Sequence, residues 1–347
     1  MFTWTEKPYE TMWSHLRLLS HATNARSLLC GQLGSQRRLC PAPLSTLEAK
    51  ARQVAYCIVQ AHEYYQAAEA VTIHTSPLLC FYGMLSLAKA VIVANEPDTL
   101  LDNIKSHGLG RDRSNTSTKM ENQTAATSQG VFAHLSNVVQ GFAYPKGAVI
   151  RIKDVFSISP ELAQMYERYF DEPPRSVYSY GTKALSNNPF RLEVRTAGPD
   201  PQRVYRRIPE LAVDFDLQPH PGVAGDLAFQ SKDHVKESPG YFGLYDAVVA
   251  GNFLVGALPF LWNGVPTKRY LSPPLGDYIA MFILSNCVRY KQDLWGEVVQ
   301  GRETGILGLI DLFLEVSKRR FPNFILDHLF GEHFGYGTPA RILGPPR

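Results

Sequence analysis

The chain has 347 residues, of which 45% are hydrophobic, 11% aromatic and 19% charged. A chain of this length and composition can bury a large core, equivalent to about two domains, which excludes a wholly disordered protein. The formal net charge of +3 is too small to identify a nucleic-acid-binding or membrane-surface protein by itself.

Two helices are predicted in the first hundred residues. Ser45 and Glu48 form an S-x-x-E capping box, and apolar residues then recur at spacings of three and four, which predicts an amphipathic helix. A second helix is predicted with Ser76 as its cap and Pro77 at its first position, ending near Asn95. Its body is apolar on nearly all sides, so we expect it at the centre of a helical bundle beside the first helix.

The composition changes over residues 108–130, where polar loop formers predominate and large apolar residues are few. A run of this length without periodic structure inside a compact protein is usually functional or disordered. We therefore expect a mobile polar loop or linker.

Alternation of apolar and polar residues predicts half-buried strands after this loop. They are expected at Ile150–Lys153, Leu192–Arg195 and Leu211–Leu217. Turn-rich pieces separate these segments, which favours an antiparallel arrangement over crossover helices. Tyr241–Trp262, with its repeated glycines, is compatible with further strands.

Helices are predicted again toward the C-terminus, at Asp277–Val299 and Ile306–Val316. The predicted fold class is α+β, predominantly α: a helical bundle formed by N- and C-terminal helical blocks, with a β-containing insertion in the middle. The expected boundaries are 1–144 for the first block, 145–265 for the insertion and 266–347 for the last block.

Several segments resemble the bacterial YaaC-like proteins. The segments that carry the resemblance are Ala51–Tyr56, Ala61–Tyr65, Ser76–Ala90, Phe282–Tyr290, Trp295 and Phe321-Pro322. They include the pieces Tyr-Gly-x-x-x-x-Ala-Lys and Arg-Tyr followed by Trp, in the expected order, and they span most of the chain. The helical part is also distantly similar to HEPN helical domains, which are common among bacterial toxins and antiphage ribonucleases.

The HEPN-like resemblance implies an arginine and a histidine a few residues apart on one helix, for phosphate stabilisation and proton transfer. Arg17 and His21 are spaced too closely for that motif, and Arg320 and His328 too widely. WSHLRLLSHA is expected to be helical, so Arg17 and His21 share one face at i and i+4. They are candidate catalytic residues, and the alternative is a surface arginine beside an ordinary polar histidine.

Lys89 lies in the apolar helix, and Arg289 lies in the later helical block. Burying an unpaired cation is costly, so each must reach solvent, pair with an acid or face a ligand. The acids that could form such an ion pair are Asp277, Asp293 and Glu63. If Lys89 and Arg289 instead converge, they form a cationic pocket suited to a phosphate or a carboxylate.

The segment HGLGRDR, from His107 to Arg113, is a further ligand- or nucleic-acid-binding candidate. Its glycines allow close backbone approach, and Arg111 and Arg113 can neutralise phosphates. It lacks the third glycine of a dinucleotide fingerprint, and the alternative is a solvated loop. The short basic group Lys318–Arg320 is expected to be solvated surface.

The five cysteines are scattered and include no Cys-x-x-Cys pair: Cys30, Cys40, Cys57, Cys80 and Cys287. This spacing predicts neither disulfides nor a zinc site, so we expect no metal, no cofactor and a reducing cytoplasmic location. The N-terminus lacks the basic start and apolar stretch of a signal peptide. The longest apolar stretch, Pro77–Ala94, is short for a membrane span, so no membrane association is expected.

No G-x-S-x-G elbow, Walker A loop or H-E-x-x-H motif is present, and whether the protein is an enzyme stays open. The leading expectation is a bacterial interaction or recognition subunit, in an antiphage or toxin-like system, with a protein partner or a homo-oligomeric state and with RNA as a second type of ligand. One alternative is an HEPN-like ribonuclease or another phosphate-handling enzyme with a non-standard site. Another is a small-ligand sensor.

Overall fold

The structure is a computed structural model, and it describes residues 2–34, 44–179, 182–185, 191–194, 201–207, 211–219, 227–232, 242–246, 252–256, 258–262, 265–301 and 305–337. The helices are α1 (Pro8–Leu18), α2 (Ala22–Leu29), α3 (Leu44–Ala70), α4 (Ser76–Asn95), α5 (Val131–Gln140), α6 (Ile152–Ser157), α7 (Ala163–Phe170), α8 (Pro201–Arg207), α9 (Leu211–Asp214), α10 (Pro273–Tyr290), α11 (Gln292–Val299) and α12 (Ile306–Phe330). The strands are β1 (Phe2–Trp4), β2 (His107–Arg111), β3 (Thr124–Gly130), β4 (Val149–Arg151), β5 (Ser176–Ser179), β6 (Thr182–Leu185), β7 (Arg191–Val194), β8 (Phe215–Pro219), β9 (Leu227–Ser231), β10 (Phe242–Asp246), β11 (Asn252–Gly256), β12 (Leu258–Trp262), β13 (Val265–Leu271) and β14 (Gly335–Gly337).

Helix α4 occupies the centre of the helical packing. Ala90, Val91, Ile92 and Val93 are completely buried, and as four consecutive residues they point in different directions around the helix. Helix α3 packs along α4, and α5, α10 and α12 contact its other sides. Helices from both ends of the chain therefore share one hydrophobic core. The predicted fold class, predominantly α with some β, is confirmed.

By length and composition, α4 could also cross a membrane, since it has 20 residues and a mean hydropathy of 1.8. The core helix of a folded domain has the same properties, and most of α4 is buried by its neighbours. The expected absence of membrane association and the expected cytoplasmic location both stay predictions.

The α3–α4 pair is fastened at both ends by bonds between a side chain and the backbone of the other helix. The Ser76 hydroxyl donates to the Ala68 carbonyl at 3.1 Å, while Thr75 rather than Ser76 is the N-cap residue of α4. At the other end, the buried Lys50 ammonium donates to the Val93 and Glu96 carbonyls at 2.7 and 2.5 Å. Burial lowers the pKa of Lys50, and the carbonyl end of the helix dipole favours its positive charge.

The expectation of a mobile loop over residues 108–130 is wrong. Strands β2 and β3 lie within this segment, and with β4 they form a three-stranded antiparallel sheet in the order β2-β3-β4. Side chains from the connection satisfy its backbone: Asp112 accepts from the Ser114 amide, Asn115 donates to the Asn122 carbonyl, and Gln123 donates to the Ser117 carbonyl. The polar residues that indicated a loop are therefore the residues that hold the connection together.

The glycines of this segment are needed for close packing. Gly108 and Gly130 have φ angles of 76° and 128°, and a Cβ atom on Gly108 would lie 2.3 Å from the Phe132 backbone nitrogen. The β2–β3 pair can therefore approach the start of α5 only because no side chain is present at these positions.

The strands predicted in the middle of the chain are confirmed in part. Residues 191–194 form β7, whose partners are all antiparallel, and Tyr241–Trp262 contributes β10, β11 and β12. Ile152 begins helix α6 instead of continuing a strand, and Leu211–Asp214 is helical before β8. Further antiparallel sheets have the orders β6-β7-β9-β8, β10-β11-β5 and β12-β13, and β1 pairs in parallel with β14. Arg195 and Cys40 lie outside the described residues, and the domain boundaries stay predictions.

The C-terminal helices differ from the prediction in their limits. The segment 277–299 contains two helices, α10 and α11, separated at Lys291, which follows the last turn of one and precedes the first turn of the other. Helix α12 continues past Val316 to Phe330 and includes Pro322. The expectation that Lys318–Arg320 is solvated surface is wrong for Arg320, which is 1% exposed.

Arg320 is the centre of a buried ion network between α12, α10 and the segment before α7. Its Nε donates to Asp277 Oδ2 at 2.7 Å and its Nη2 to Asp277 Oδ1 at 2.5 Å, while Nη1 donates to Glu161 at 2.6 Å and Nη2 also to Ser159 at 2.7 Å. Asp277 is fully buried. Burial raises its pKa to about 6, and the Arg320 guanidinium opposes this rise, so the carboxylate is ionised at neutral pH.

Arg320→Met should strongly destabilise the fold, because it leaves the Asp277 carboxylate buried without its cation. We expect the free energy of unfolding to fall by about 3–5 kcal/mol, measured by chemical denaturation. Arg319→Met is the matched control and should change stability by no more than about 0.5 kcal/mol. Asp277→Leu combined with Arg320→Met should recover part of the loss, and an Arg320→Met protein as stable as the parent would contradict the structural role.

Candidate functional site

A small, partly open pocket lies where the β2–β3 connection meets the C-terminal end of α10. The sheet side contributes Arg111, Asp112, Asn115, Gln123 and Thr124, and the helical side contributes Ile283, Asn286, Cys287 and Lys291. Most of these side chains are polar, and both a cation and an anion are among them. The pocket is therefore suited to a polar ligand.

Two features place the walls of this pocket. The Tyr278 hydroxyl of α10 donates to the His107 carbonyl at 3.1 Å, which holds the start of β2 against the helix. The chain also changes direction at Lys291, between α10 and α11, so this residue faces the sheet instead of continuing the helix surface. The pocket thus forms between elements that are more than 150 residues apart in sequence, as the Tyr278–His107 separation of 171 shows.

Lys291 is positioned by a buried amide. Its ammonium donates to Gln123 Oε1 at 2.5 Å, and Gln123 is 2% exposed. The Gln123 amide nitrogen donates in turn to the Ser117 and Lys119 carbonyls at 2.9 and 2.8 Å. Gln123 is therefore fixed, and the lysine keeps two N–H groups for a ligand.

Arg111 and Arg289 both lie near the exposed ring of Tyr290. Their guanidinium carbons lie 5.9 and 5.0 Å from the ring centroid, within the range of a cation–π interaction. Arg289 also donates to the Ser285 carbonyl at 3.1 Å, one turn earlier on α10. These contacts hold the charges in place without neutralising them.

The cations near the pocket have no carboxylate partner in the part of the chain that the structure describes. None of Lys89, Arg111, Arg289 and Lys291 forms an ion pair there. Asp277, one of the acids considered for Arg289, is bound to Arg320 instead. Lys89 is half-buried on α4 and forms no hydrogen bond to a described residue. Among the described residues, Lys89 and Arg289 therefore do not form the ion pairs with acids that the sequence analysis considered.

His107 lies beside these charges, half-buried, with its ring 5.5 Å from that of Phe81. Burial lowers its pKa below the ordinary value of 6.5, and the positive charges of Arg289 and Lys89 lower it further. Cations from α4 and α10 thus act on the same imidazole, although Lys89 and Arg289 are 200 residues apart in sequence. His107 is neutral at pH 7 and can both donate and accept a hydrogen bond.

Asp112 directly follows the last residue of β2 and supplies a negative charge to the pocket. Its carboxylate accepts from the Ser114 hydroxyl at 2.5 Å, the Ser114 amide at 3.0 Å and the Thr124 hydroxyl at 3.2 Å. The Ser114 hydroxyl bond is the main cause that lowers the pKa of Asp112, so the carboxylate is ionised at neutral pH. It therefore acts as a hydrogen-bond acceptor inside a mainly cationic pocket.

Cys287, at the helical wall of the pocket, is not an activated nucleophile. It is 2% exposed, and burial raises the pKa of its thiol to about 12, against the opposing charges of Lys291 and Arg111. Since the thiolate is the reactive form of cysteine, this residue remains a thiol at neutral pH.

The remaining candidates from the sequence lie elsewhere. Arg113 is exposed in the β2–β3 connection. The expectation that Arg17 and His21 share a helical face is wrong: α1 ends at Leu18, and His21 is the extended N-cap residue of α2. Both side chains are exposed, and a turn separates them. They therefore do not form the arginine–histidine arrangement of one helix.

Sequence reasoning missed Lys291, Gln123, Asp112 and Asn286 as pocket residues. Gln123 was concealed because its segment was interpreted as a mobile loop, and a buried amide has no periodic signal of its own. Lys291 follows directly after the Arg289-Tyr290 pair, so the signal available was a third polar residue where the apolar helix pattern ends.

Comparison with known proteins gives one match. A family model described as YaaC-like protein matches residues 17–329, which include every pocket residue. No curated protein and no solved structure matches the chain significantly. None of these comparisons supports the HEPN-like resemblance.

Removing either neighbouring cation should raise the pKa of His107. We expect Arg289→Met to raise it, and Lys89→Met to raise it less, while it stays below 6.5 because burial, the larger cause, remains. The pKa is measured by NMR titration of the imidazole protons, with Arg168→Met on α7 as the control that leaves it unchanged.

Because the folded pKa lies below the unfolded one, the stability that His107 contributes is present above pH 6.5 and is lost as the pH falls toward the folded pKa. An unchanged His107 pKa in both cation variants would show that neither charge acts on the imidazole.

Proposed function

The chain belongs to the YaaC-like protein family, and we propose that it is a recognition protein that binds a ligand with an anionic group, a phosphate or a carboxylate, in the pocket between the β2–β3 connection and the end of α10. The observation that carries this proposal is the uncompensated positive charge. Arg111 and Lys291 line one pocket, and neither forms an ion pair with a described residue.

An anion is the ligand that these groups fit best. Arg111 donates no hydrogen bond to a described residue, so the fork of its guanidinium is available for bidentate binding. Lys291 is held at one N–H by Gln123 and has two N–H groups left. Charge-assisted hydrogen bonds of this kind are stronger than neutral ones and are strengthened further inside a concave site.

The pocket favours binding over catalysis. Asp112 is an ionised acceptor held by two hydroxyls, Cys287 remains protonated, and neither is poised to exchange a proton near neutral pH. This arrangement supports the recognition and ligand-sensor expectations more than the ribonuclease alternative. A role in an antiphage or toxin-like assembly, and a protein partner or homo-oligomer within it, stay predictions that the pocket chemistry does not address.

Arg111→Ala should weaken anion binding by about tenfold or more, because a hydrogen bond to a charged group contributes about 1.5–3 kcal/mol. Binding of inorganic phosphate and of succinate to the parent protein is measured by calorimetry or by the rise in melting temperature. Lys291→Met should have a similar effect, and affinity should fall as the salt concentration rises.

The matched control for this experiment is Arg168→Ala, which removes an exposed arginine of α7 outside the pocket lining. It should leave anion affinity unchanged. Absence of binding to the parent protein by either anion, or equal affinity in the parent and the Arg111→Ala protein, would overturn the proposal.

A further inference from the structure

The chemistry around the anion site also identifies the rest of the ligand. Resting on the proposed function, we infer that the ligand is a nucleotide, free or within an RNA strand, whose phosphate binds Arg111 and Lys291 and whose base lies against the ring of Tyr290. The three observations that support this inference are an exposed aromatic ring beside the pocket, a carboxylate among the cations, and positive charge that extends beyond one anion site.

Tyr290 is an exposed aromatic platform at the edge of the pocket. Its side chain is at the last position of α10 and 58% exposed, so the ring is open to a ligand. Arg111 links the ring to the pocket, because its guanidinium lines the pocket and lies 5.9 Å from the ring centroid. Tyrosine rings and guanidinium planes are among the protein groups on which nucleic-acid bases stack.

Asp112 argues against a bare anion as the complete ligand. An ionised carboxylate repels phosphate, so its presence beside Arg111 is favourable only if the ligand also carries hydrogen-bond donors. Its Oδ2 accepts a single bond, from the Thr124 hydroxyl at 3.2 Å, and a carboxylate oxygen can accept a second one. Ribose hydroxyls and the exocyclic amines of bases are donors of the required kind.

The positive charge continues from the pocket to His107. Arg289 contacts Tyr290 at 5.0 Å, and its charge acts together with that of Lys89 on the His107 imidazole. Arg289 forms no ion pair with a described residue, so beside Tyr290 it can compensate a second anionic group. A ligand with several phosphates, such as a nucleoside triphosphate or a strand, should therefore bind more tightly than a nucleoside monophosphate.

The pocket does not have to enclose the whole ligand. Tyr290 is not among the residues that line it, so the base would lie at the rim while the phosphate contacts Arg111 and Lys291.

Tyr290→Leu separates base recognition from anion binding. We expect it to weaken the binding of ATP by about tenfold and that of inorganic phosphate by much less, since stacking of a base is lost while both cations remain and Arg111 loses only its contact with the ring. Tyr290→Phe keeps the ring and is the matched control, with affinity for ATP close to that of the parent. The full chain is titrated with inorganic phosphate, ribose 5-phosphate, AMP, ATP and a short single-stranded oligoribonucleotide.

The outcomes of this titration distinguish the two proposals. ATP or the oligoribonucleotide binding more tightly than ribose 5-phosphate, with loss of that difference in Tyr290→Leu, supports the inference, and the tighter of the two ligands identifies the source of the nucleotide. Binding of inorganic phosphate that depends on Arg111, with no gain from a base, overturns the nucleotide and leaves the anion site standing. No binding of any of these ligands overturns both.

Discussion

A long helix without a polar face must be covered on every side, and this constraint on α4 determines much of the architecture. The helix buries Phe81, Met84 and Leu87 completely, and α3, α5, α10 and α12 provide the cover. Because α3 comes from the beginning of the chain and α10 and α12 from its end, the two helical blocks must meet in one core. The Arg320–Asp277 network then fixes α12 against α10 with bonds that only one relative placement of the two helices satisfies.

The pocket is a consequence of how this enclosure ends. Helix α10 packs against α4 and ends at the exposed Tyr290, and the chain turns at Lys291 before α11 and α12 add further apolar residues to the core. The β2–β3 connection fills the adjacent space with polar side chains that bind mainly to their own backbone, as Gln123 does. Arg111 and Lys291 remain between these two elements without a carboxylate partner among the described residues, so positive charge accumulates at the boundary of the core. This accumulated charge is the basis on which we propose anion recognition.

The parts of the fold that the sequence predicted are those with a strong periodic signal. The limits of α4 and the buried nature of its body followed from Pro77 and from the continuous apolar run, and the antiparallel middle strands followed from alternation. Residues 108–130 were misassigned because their strands consist of small residues whose register is set by contacts with α5, for which Gly108 leaves room. Tertiary contact of this kind has no local signature. Among the residues at or near the site, the sequence indicated Arg111 by its glycine-containing segment, and Lys89 and Arg289 because each is a cation in a predicted helix. It could not show that Lys291 lies opposite the sheet.

The enclosure of α4 also has a consequence for synthesis of the chain. On the ribosome, α4 emerges complete about 180 residues before α10, and α12 follows later still. During that interval only α3, the other N-terminal elements and then α5 can shield its apolar surface, and a nascent chain with such a surface is prone to aggregation. The order of synthesis therefore leaves part of the core incomplete until late, since the α10 and α12 residues that bury α4 are among the last to be made.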